Sequence, residues 1–133
     1  MHKPQQSEYA NYYETYVSLT ENEPIIHQLN EHSESTLELL ESLNEEQLDF
    51  AYADGKWTIR ELFQHIIDTE IVFAYRAFSI ARGESKPLPG FDQDEYAALA
   101  AKDKLSKQEL IDAFTHTRQF TVTLFSYLKN ADL

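Results

Sequence analysis

The stretch that most constrains the fold lies between Thr58 and Gly83, where a strong helix start is followed by a long two-faced pattern. Thr58 and Glu61 have the spacing of a capping box, and glycine is the residue type that commonly ends a helix. Between them, winding at about 100° per residue gathers the apolar side chains on one broad face. The pattern predicts a long helix from Thr58 to about Arg82 that contacts more than one neighbour. The predicted face consists of Ile59, Leu62, Phe63, Ile66, Ile67, Ile71, Phe73, Ala74, Ala77, Phe78 and Ala81.

Two other long helices are predicted by the same reasoning. One runs from the Asn22-Glu23-Pro24 start to about Leu43, because proline is tolerated in a first turn. The other opens at the capping box of Ser106 and Glu109 and runs to about Leu128. Shorter helices are expected at 44–48 and 92–102, and a tyrosine-rich helix at 8–19. No stretch has the pattern of a convincing strand, so the chain is predicted to be all-α.

The connection between the last two long helices, residues 83–105, is the longest of the chain. Short connections usually make neighbouring helices antiparallel. A link of this length can instead carry the chain across one end of a bundle, so that two successive long helices run parallel.

Composition excludes several classes of function. The chain of 133 residues has the size of one domain, and residues 1–133 are predicted to form a single domain. A net charge of −12 disfavours binding to nucleic acids and anionic membranes, since both need clustered cations. The absence of cysteine excludes a disulfide scaffold and thiolate metal ligands. No apolar run approaches about 18 residues and the N-terminus lacks the features of a signal peptide, so a cytoplasmic location is expected.

Histidines are the candidates for chemistry, and His65 is the strongest of the five. On the predicted helix it projects about 150° away from the apolar face, on the side of Asp68 and Thr69. A carboxylate one turn away can orient an imidazole, as it does for metal-bound histidines. A histidine on a polar face is also commonly just solvated, and this alternative stays open. No H-x-x-x-H pair occurs, and His32 and His116 have the pattern of surface residues.

Five segments in the central part of the chain have a combined pattern that points to one family: Gly55-Lys56-Trp57-Thr58-Ile59, His65-Ile66-Ile67-Asp68-Thr69-Glu70, Phe73-Ala74-Tyr75-Arg76, Ala81-Arg82-Gly83 and Pro87-Leu88-Pro89-Gly90-Phe91. These segments resemble the DinB-like (DinB/YfiT) superfamily. The resemblance covers essentially the whole chain and implies a four-helix bundle with a crossover connection, in agreement with the long link at 83–105.

The resemblance also implies a metal site. Many members hold nickel or zinc through three histidines, of which one lies in an H-x-x-D segment. Here that residue is His65, with Asp68 as the candidate partner that orients it. Some members are thiol-dependent S-transferases, in which a metal lowers the pKa of a bound thiol or water. Homodimers are frequent in the family.

The chain departs from the family pattern at its end. It stops at Asn130-Ala-Asp-Leu133, about where the link to a fourth helix would begin, and two of the three histidine ligands have no counterpart. His116 does not lie at a position that the family motif reserves for a ligand. We therefore expect a bundle without its last helix. The chain is either a truncated version of a longer protein, which the abrupt end without a capping glycine favours, or a naturally shortened member. Binding of Ni²⁺ or Zn²⁺ is expected to be weak or absent, and the catalytic and cofactor-binding residues are unknown. A partner chain or the tyrosine-rich N-terminal helix is expected to cover the core that a missing helix leaves open.

Two functions follow from these observations. The first is a metal-dependent small-molecule enzyme of the thiol S-transferase type, whose metal site is incomplete in this chain. The second is a non-catalytic helical interaction module that dimerises. A homodimer is expected, without nucleic acid or membrane as a partner, and a small-molecule or thiol substrate belongs to the first function.

Overall fold

The structure, a computed structural model, describes residues 3–128. The three long helices lie close to their predicted positions, and no strand occurs in the described range, so the all-α prediction is confirmed. None of the described helices is both long and apolar enough to cross a bilayer. His2 and the segment 130–133 lie outside the described residues. The α-helices are α1 Glu14–Val17, α2 Ile25–Ser42, α3 Glu45–Leu48, α4 Ile59–Ala81, α5 Gln93–Ala100 and α6 Lys107–Tyr127, preceded by 3₁₀ turns at Gln6–Glu8 and Asn11–Tyr13.

The helix starts follow from local capping chemistry. At α4, the backbone N–H of Thr58 donates to the Glu61 carboxylate at 2.6 Å, and the Thr58 hydroxyl accepts from the Glu61 N–H at 3.2 Å. Ser106 and Glu109 repeat this arrangement at α6, and the hydroxyl and N–H of Ser106 lower the pKa of the Glu109 carboxyl. Both predicted capping boxes are therefore confirmed. Gly83 closes the C-terminal turn of α4 with φ of +83°, in the left-handed region that favours glycine.

The long helices pack with α4 and α6 parallel to each other and α2 antiparallel to both. One core cluster joins the C-terminal part of α2 to the N-terminal parts of α4 and α6, and a second joins the C-terminal parts of α4 and α6. Because like ends of α4 and α6 meet, the connection at 83–105 crosses the bundle as its length allows. The first cluster is Leu40, Leu48, Phe63, Ile67, Leu110 and Phe114, and the second is Ala74, Leu124 and Leu128.

Helix α4 contacts α3, α5 and α6, as its broad apolar face predicts, while α6 lies along both other long helices. Only part of the predicted α4 face is covered by the described residues, however. Phe63, Ile67 and Ala74 are buried, whereas Leu62 and Phe73 are about half exposed, at 47% and 52%. Ile71 and Phe78 of the same predicted face are also exposed. The described helices therefore leave α4 uncovered on both sides of its buried face.

The tyrosine-rich segment differs from its prediction. Instead of one helix over 8–19, it forms two 3₁₀ turns and the single turn of α1, interrupted by extended backbone at Tyr9 and Ala10. Tyr12, Tyr16 and Leu19 are exposed. A helix of this length depends on burying one face, and these side chains find no surface to pack on. The expectation that this segment covers the open core with its tyrosines is therefore wrong.

A buried arginine fastens the short helix α3 to the bundle. Arg60 donates to Asp49 at 2.8 Å, to Glu45 at 2.7 Å and to the carbonyl of Leu105 at 2.6 Å. The Arg60 guanidinium lowers the pKa of Asp49, and the backbone N–H of Lys107 together with Arg60 lowers that of Glu45. We call this group the Arg60 clasp. It joins α3, α4 and the start of α6 at one end of the bundle.

Candidate metal site

His65 lies two turns into α4, and its side chain is half-buried. The Thr58 capping box fixes where the helix begins and therefore the direction in which residue 65 points. The buried face of α4 is marked by Phe63 and Ile67, and His65 lies off that face, as the winding predicts. The imidazole is thus held at the surface of the bundle and not in its core.

Trp57, the residue before the α4 cap, packs against His65. Its ring centroid lies 4.9 Å from that of the imidazole, with an interplanar angle of 51°. Trp57 also lines a groove of ≈ 460 Å³, a volume in the range of small-molecule sites. The groove therefore adjoins the histidine through a single aromatic ring. Its walls are formed by Phe50, Tyr52, Gly55, Lys56, Trp57, Thr58, Ile59, Leu62 and Asp94.

The hydrogen-bond partner of His65 is Thr69, one turn later on α4. The Thr69 hydroxyl oxygen lies 3.4 Å from the imidazole Nδ1. The Asp68 carboxylate instead accepts from the Gln64 amide at 2.8 Å, and both residues line a second groove between α4 and α5. In this arrangement Asp68 is engaged by its own helix neighbour, and its predicted contact with His65 stays a prediction.

Arg76 follows His65 along α4 and secures the connection to α5. Its guanidinium donates to the carbonyl of Pro89 at 3.0 Å and lies over the rings of Phe73 and Phe91, at 5.4 and 5.9 Å from their centroids. The contacts explain Arg76 by packing and by anchoring the 84–91 segment.

The other described histidines lie apart from this site. His27 approaches Glu31 at 3.7 Å in an exposed pair on α2, and His32 and His116 are exposed. This agrees with the prediction that His32 and His116 are surface residues. His65 is therefore the histidine whose ring is held by two neighbours of different kinds.

A catalytic metal ion requires a certain type and number of protein ligands, and the described residues meet this requirement only in part. An imidazole suits Zn²⁺ and Ni²⁺, so His65 fits as one ligand. A catalytic zinc site takes about three protein ligands, and within residues 3–128 no three His, Cys, Asp or Glu side chains lie close enough to form one. The described residues therefore do not complete a metal centre.

Thr69 and Trp57, the two residues that hold the imidazole, are harder to identify from the sequence than His65 itself. Thr69 is four positions after His65, the spacing at which helical side chains meet, so its contact was accessible from the pattern. Trp57 precedes the helix, and its position over the ring depends on the turn at Asp54–Gly55. No periodicity could have placed it there.

Comparison with known proteins places these residues in a family. The sequence profile of the DinB superfamily matches residues 28–133. A protein of Oceanobacillus iheyensis named "Putative metal-dependent hydrolase OB0413" is 38% identical over 60 residues, which are 45% of this chain and 35% of the relative. A Bacillus pumilus protein named in the same way is 38% identical over 58 residues, 43% of this chain and 33% of the relative.

The matched stretch thus spans about a third of the length of each relative. No solved structure matches the chain. The profile match extends over most of the sequence, includes all three long helices almost completely, and agrees with the helical architecture. The chain belongs to the DinB superfamily.

Proposed function

We propose that this protein is a metal-dependent small-molecule enzyme of the DinB superfamily, in which His65 supplies one metal ligand. The relatives named metal-dependent hydrolases support the general class of chemistry. The single observation that carries the assignment to His65 is its fixed imidazole, held by Trp57 at 4.9 Å and by Thr69 at 3.4 Å beside a groove of ≈ 460 Å³.

The metal affinity of this chain is expected to be low. One imidazole cannot hold Zn²⁺ or Ni²⁺ tightly, and within the described residues His65 is not part of a group of three possible ligand side chains. A tight site would require ligands from outside residues 3–128. This protein alone is therefore proposed to bind a divalent cation weakly, through His65, with Asp68 as a nearby carboxylate.

The reaction type is proposed to be transfer to a thiol or hydrolysis. The resemblance favours the thiol S-transferase type, and the names of the relatives favour hydrolysis. The two differ in the acceptor, a small thiol or water. An assay with and without added thiol separates them: turnover only with the thiol supports S-transfer, and turnover unaffected by the thiol contradicts it.

The experiment that tests the metal ligand is a calorimetric titration of the full-length protein with Zn²⁺ and with Ni²⁺. His65→Ala is expected to abolish the weak binding, since it removes the proposed ligand. His116→Ala, an exposed histidine on α6, is the matched control and is expected to bind like the wild type. Equal binding by His65→Ala and wild type would falsify the assignment.

Exposed apolar side chains along one side of α4 support a second function. Leu62, Phe73 and Ile80 are 47%, 52% and 46% exposed and recur on one side of the helix at intervals of whole turns. We call these three residues the open face. As a non-catalytic alternative, we propose that two copies dimerise through it. A homodimer is also compatible with the enzyme, so dimerisation alone does not choose between the two functions.

A further inference from the structure

The orientation of His65 depends on a hydroxyl group whose role the sequence leaves unassigned. Thr69 lies four residues after His65 on α4, and its Oγ1 is 3.4 Å from Nδ1. Threonine is branched at Cβ, so its χ1 angle on a helix is restricted mainly to two values, and in the structure the hydroxyl faces the imidazole. On the other side, the Trp57 ring limits rotation of the imidazole, with 4.9 Å between the ring centroids.

A threonine hydroxyl can donate or accept a hydrogen bond, and the direction decides the tautomer of a neutral imidazole. If the hydroxyl accepts from Nδ1–H, Nε2 keeps its lone pair and can act as a ligand or a base. If the hydroxyl donates to Nδ1, the proton lies on Nε2 and that nitrogen is blocked. The hydrogen bond to one ring nitrogen thus determines whether the other can act as a ligand or a base.

The carboxylate that could compete for this role is directed elsewhere. Asp68 accepts from Gln64 at 2.8 Å and lines the groove between α4 and α5 together with Val72 and Tyr96. Glu61, one turn before His65, is bound by both the N–H and the hydroxyl of Thr58. The two nearest carboxylates on α4 therefore have other partners.

We propose that Thr69 is a positioning residue: its hydroxyl accepts from Nδ1–H of neutral His65 and leaves Nε2 unprotonated and available. The orientation of the ring stands on the contacts of Thr69 and Trp57 alone. The choice of Nδ1–H over Nε2–H, and the use of the Nε2 lone pair as a metal ligand, rest on the proposed function.

The first test measures the tautomer in the metal-free, full-length protein with ¹⁵N-labelled histidine. Long-range ¹⁵N–¹H spectra, recorded at a pH at which the imidazole is neutral, show which ring nitrogen carries the proton. Wild type and Thr69→Ser, which keeps the hydroxyl, are expected to show Nδ1–H at His65. Thr69→Val keeps the branched shape without the hydroxyl and is expected to lose this preference. An unchanged tautomer in Thr69→Val, or Nε2–H in the wild type, overturns the proposal.

The second test measures Zn²⁺ affinity of the same three proteins. Loss of a residue that orients a metal-bound histidine typically lowers affinity about 10–100-fold, so Thr69→Val is expected to bind correspondingly more weakly and Thr69→Ser nearly as well as the wild type. Equal affinity of Thr69→Val and wild type contradicts the positioning role. Absence of binding in the wild type contradicts the metal ligand instead, and the tautomer measurement then decides the role of Thr69 by itself.

Discussion

Arg118 and Glu70 form a two-pronged ion pair between α6 and α4, at 2.8 and 2.9 Å, with 12% of each side chain exposed. The third arm of the guanidinium donates to the carbonyl of Leu29 at 2.8 Å, so one residue links all three long helices. A buried pair is costly to break, because the remaining charge has neither water nor a partner. The pair therefore fixes how the long helices are placed against each other.

Arg118→Leu is predicted to destabilise the fold by about 3 kcal/mol, since it leaves the Glu70 carboxylate unpaired in the interior. Urea unfolding followed by circular dichroism measures the change. The double variant Glu70→Leu/Arg118→Leu is the control and is expected to be more stable than Arg118→Leu, because no unpaired charge remains. A single variant that unfolds like the wild type contradicts a structural role for the pair.

For single residues, the position within one helix could be predicted from the sequence, whereas contacts between distant segments could not. The position of Arg118 within the inward stripe of α6 could be read from helical spacing. Its partner Glu70 is 48 residues away on another helix, and only the parallel packing of α4 and α6 brings them together. His65 could be selected by its position off the apolar face, whereas its neighbour Trp57 depends on the path of a turn.

At the scale of helices and turns, the stability that the Arg60 clasp contributes to the fold depends on pH. The pKa values of Asp49 and Glu45 are lowered in the folded protein, by the Arg60 guanidinium and by the Lys107 N–H respectively. Their unfolded values are about 4, so the unfolded chain takes up protons first as the pH falls. The clasp therefore contributes stability above about pH 4, and this contribution is lost as the pH falls through the folded pKa values.

The predicted result is a urea midpoint that falls more steeply between about pH 6 and pH 3 in the wild type than in Asp49→Asn. The difference arises because the variant lacks one of the two clasp carboxylates, so that only Glu45 remains to be protonated there. Asp54→Asn, an exposed carboxylate in the neighbouring turn, is expected to follow the wild-type profile. Parallel profiles of wild type and Asp49→Asn across the whole range would show that the clasp does not contribute.

Helix boundaries could be predicted where a local chemical signal exists. The capping boxes at Thr58 and Ser106 satisfy backbone N–H groups within four residues, so their effect does not depend on the rest of the fold. The segment 8–19 has helical periodicity in its tyrosines but no packing surface for them, and it forms separate turns. Periodicity predicts a helix only where a neighbour buries the apolar side.

For the whole molecule, the open face of α4 predicts self-association. Exposed apolar side chains aligned along one side of a helix are candidates for an interaction site, and a two-fold interface places the same surface of both copies together. Sedimentation equilibrium is expected to show a monomer–dimer equilibrium. Phe73→Asn is predicted to weaken the dimer at least about tenfold, a change of about 1.4 kcal/mol.

The control for this prediction is Phe120→Asn. Phe120 is 60% exposed on α6, comparable with Phe73 at 52%, but does not belong to the open face. It is expected to leave the equilibrium unchanged. A protein that stays monomeric at all concentrations, or a dimer weakened equally by both variants, argues against the open face as the interface.

The helical architecture could be predicted from the sequence more completely than the candidate metal site. Helical class, the order of the long helices and the crossing of the 83–105 link all follow from patterning and connection length. The site could be anticipated only in His65, because a metal centre combines residues distant in sequence and within residues 3–128 no group of three possible ligand side chains forms. A local sequence motif can therefore identify one ligand of a metal site but not the other ligands.

The fluorescence of Trp57, the single tryptophan of the chain, reports whether His65 binds a metal. A paramagnetic Ni²⁺ ion bound to an imidazole 4.9 Å from the indole ring quenches its fluorescence. We expect saturable quenching of the full-length protein by Ni²⁺ that disappears in His65→Ala and persists in His116→Ala. Quenching that survives in His65→Ala, or Ni²⁺ binding by calorimetry without any quenching, would contradict it.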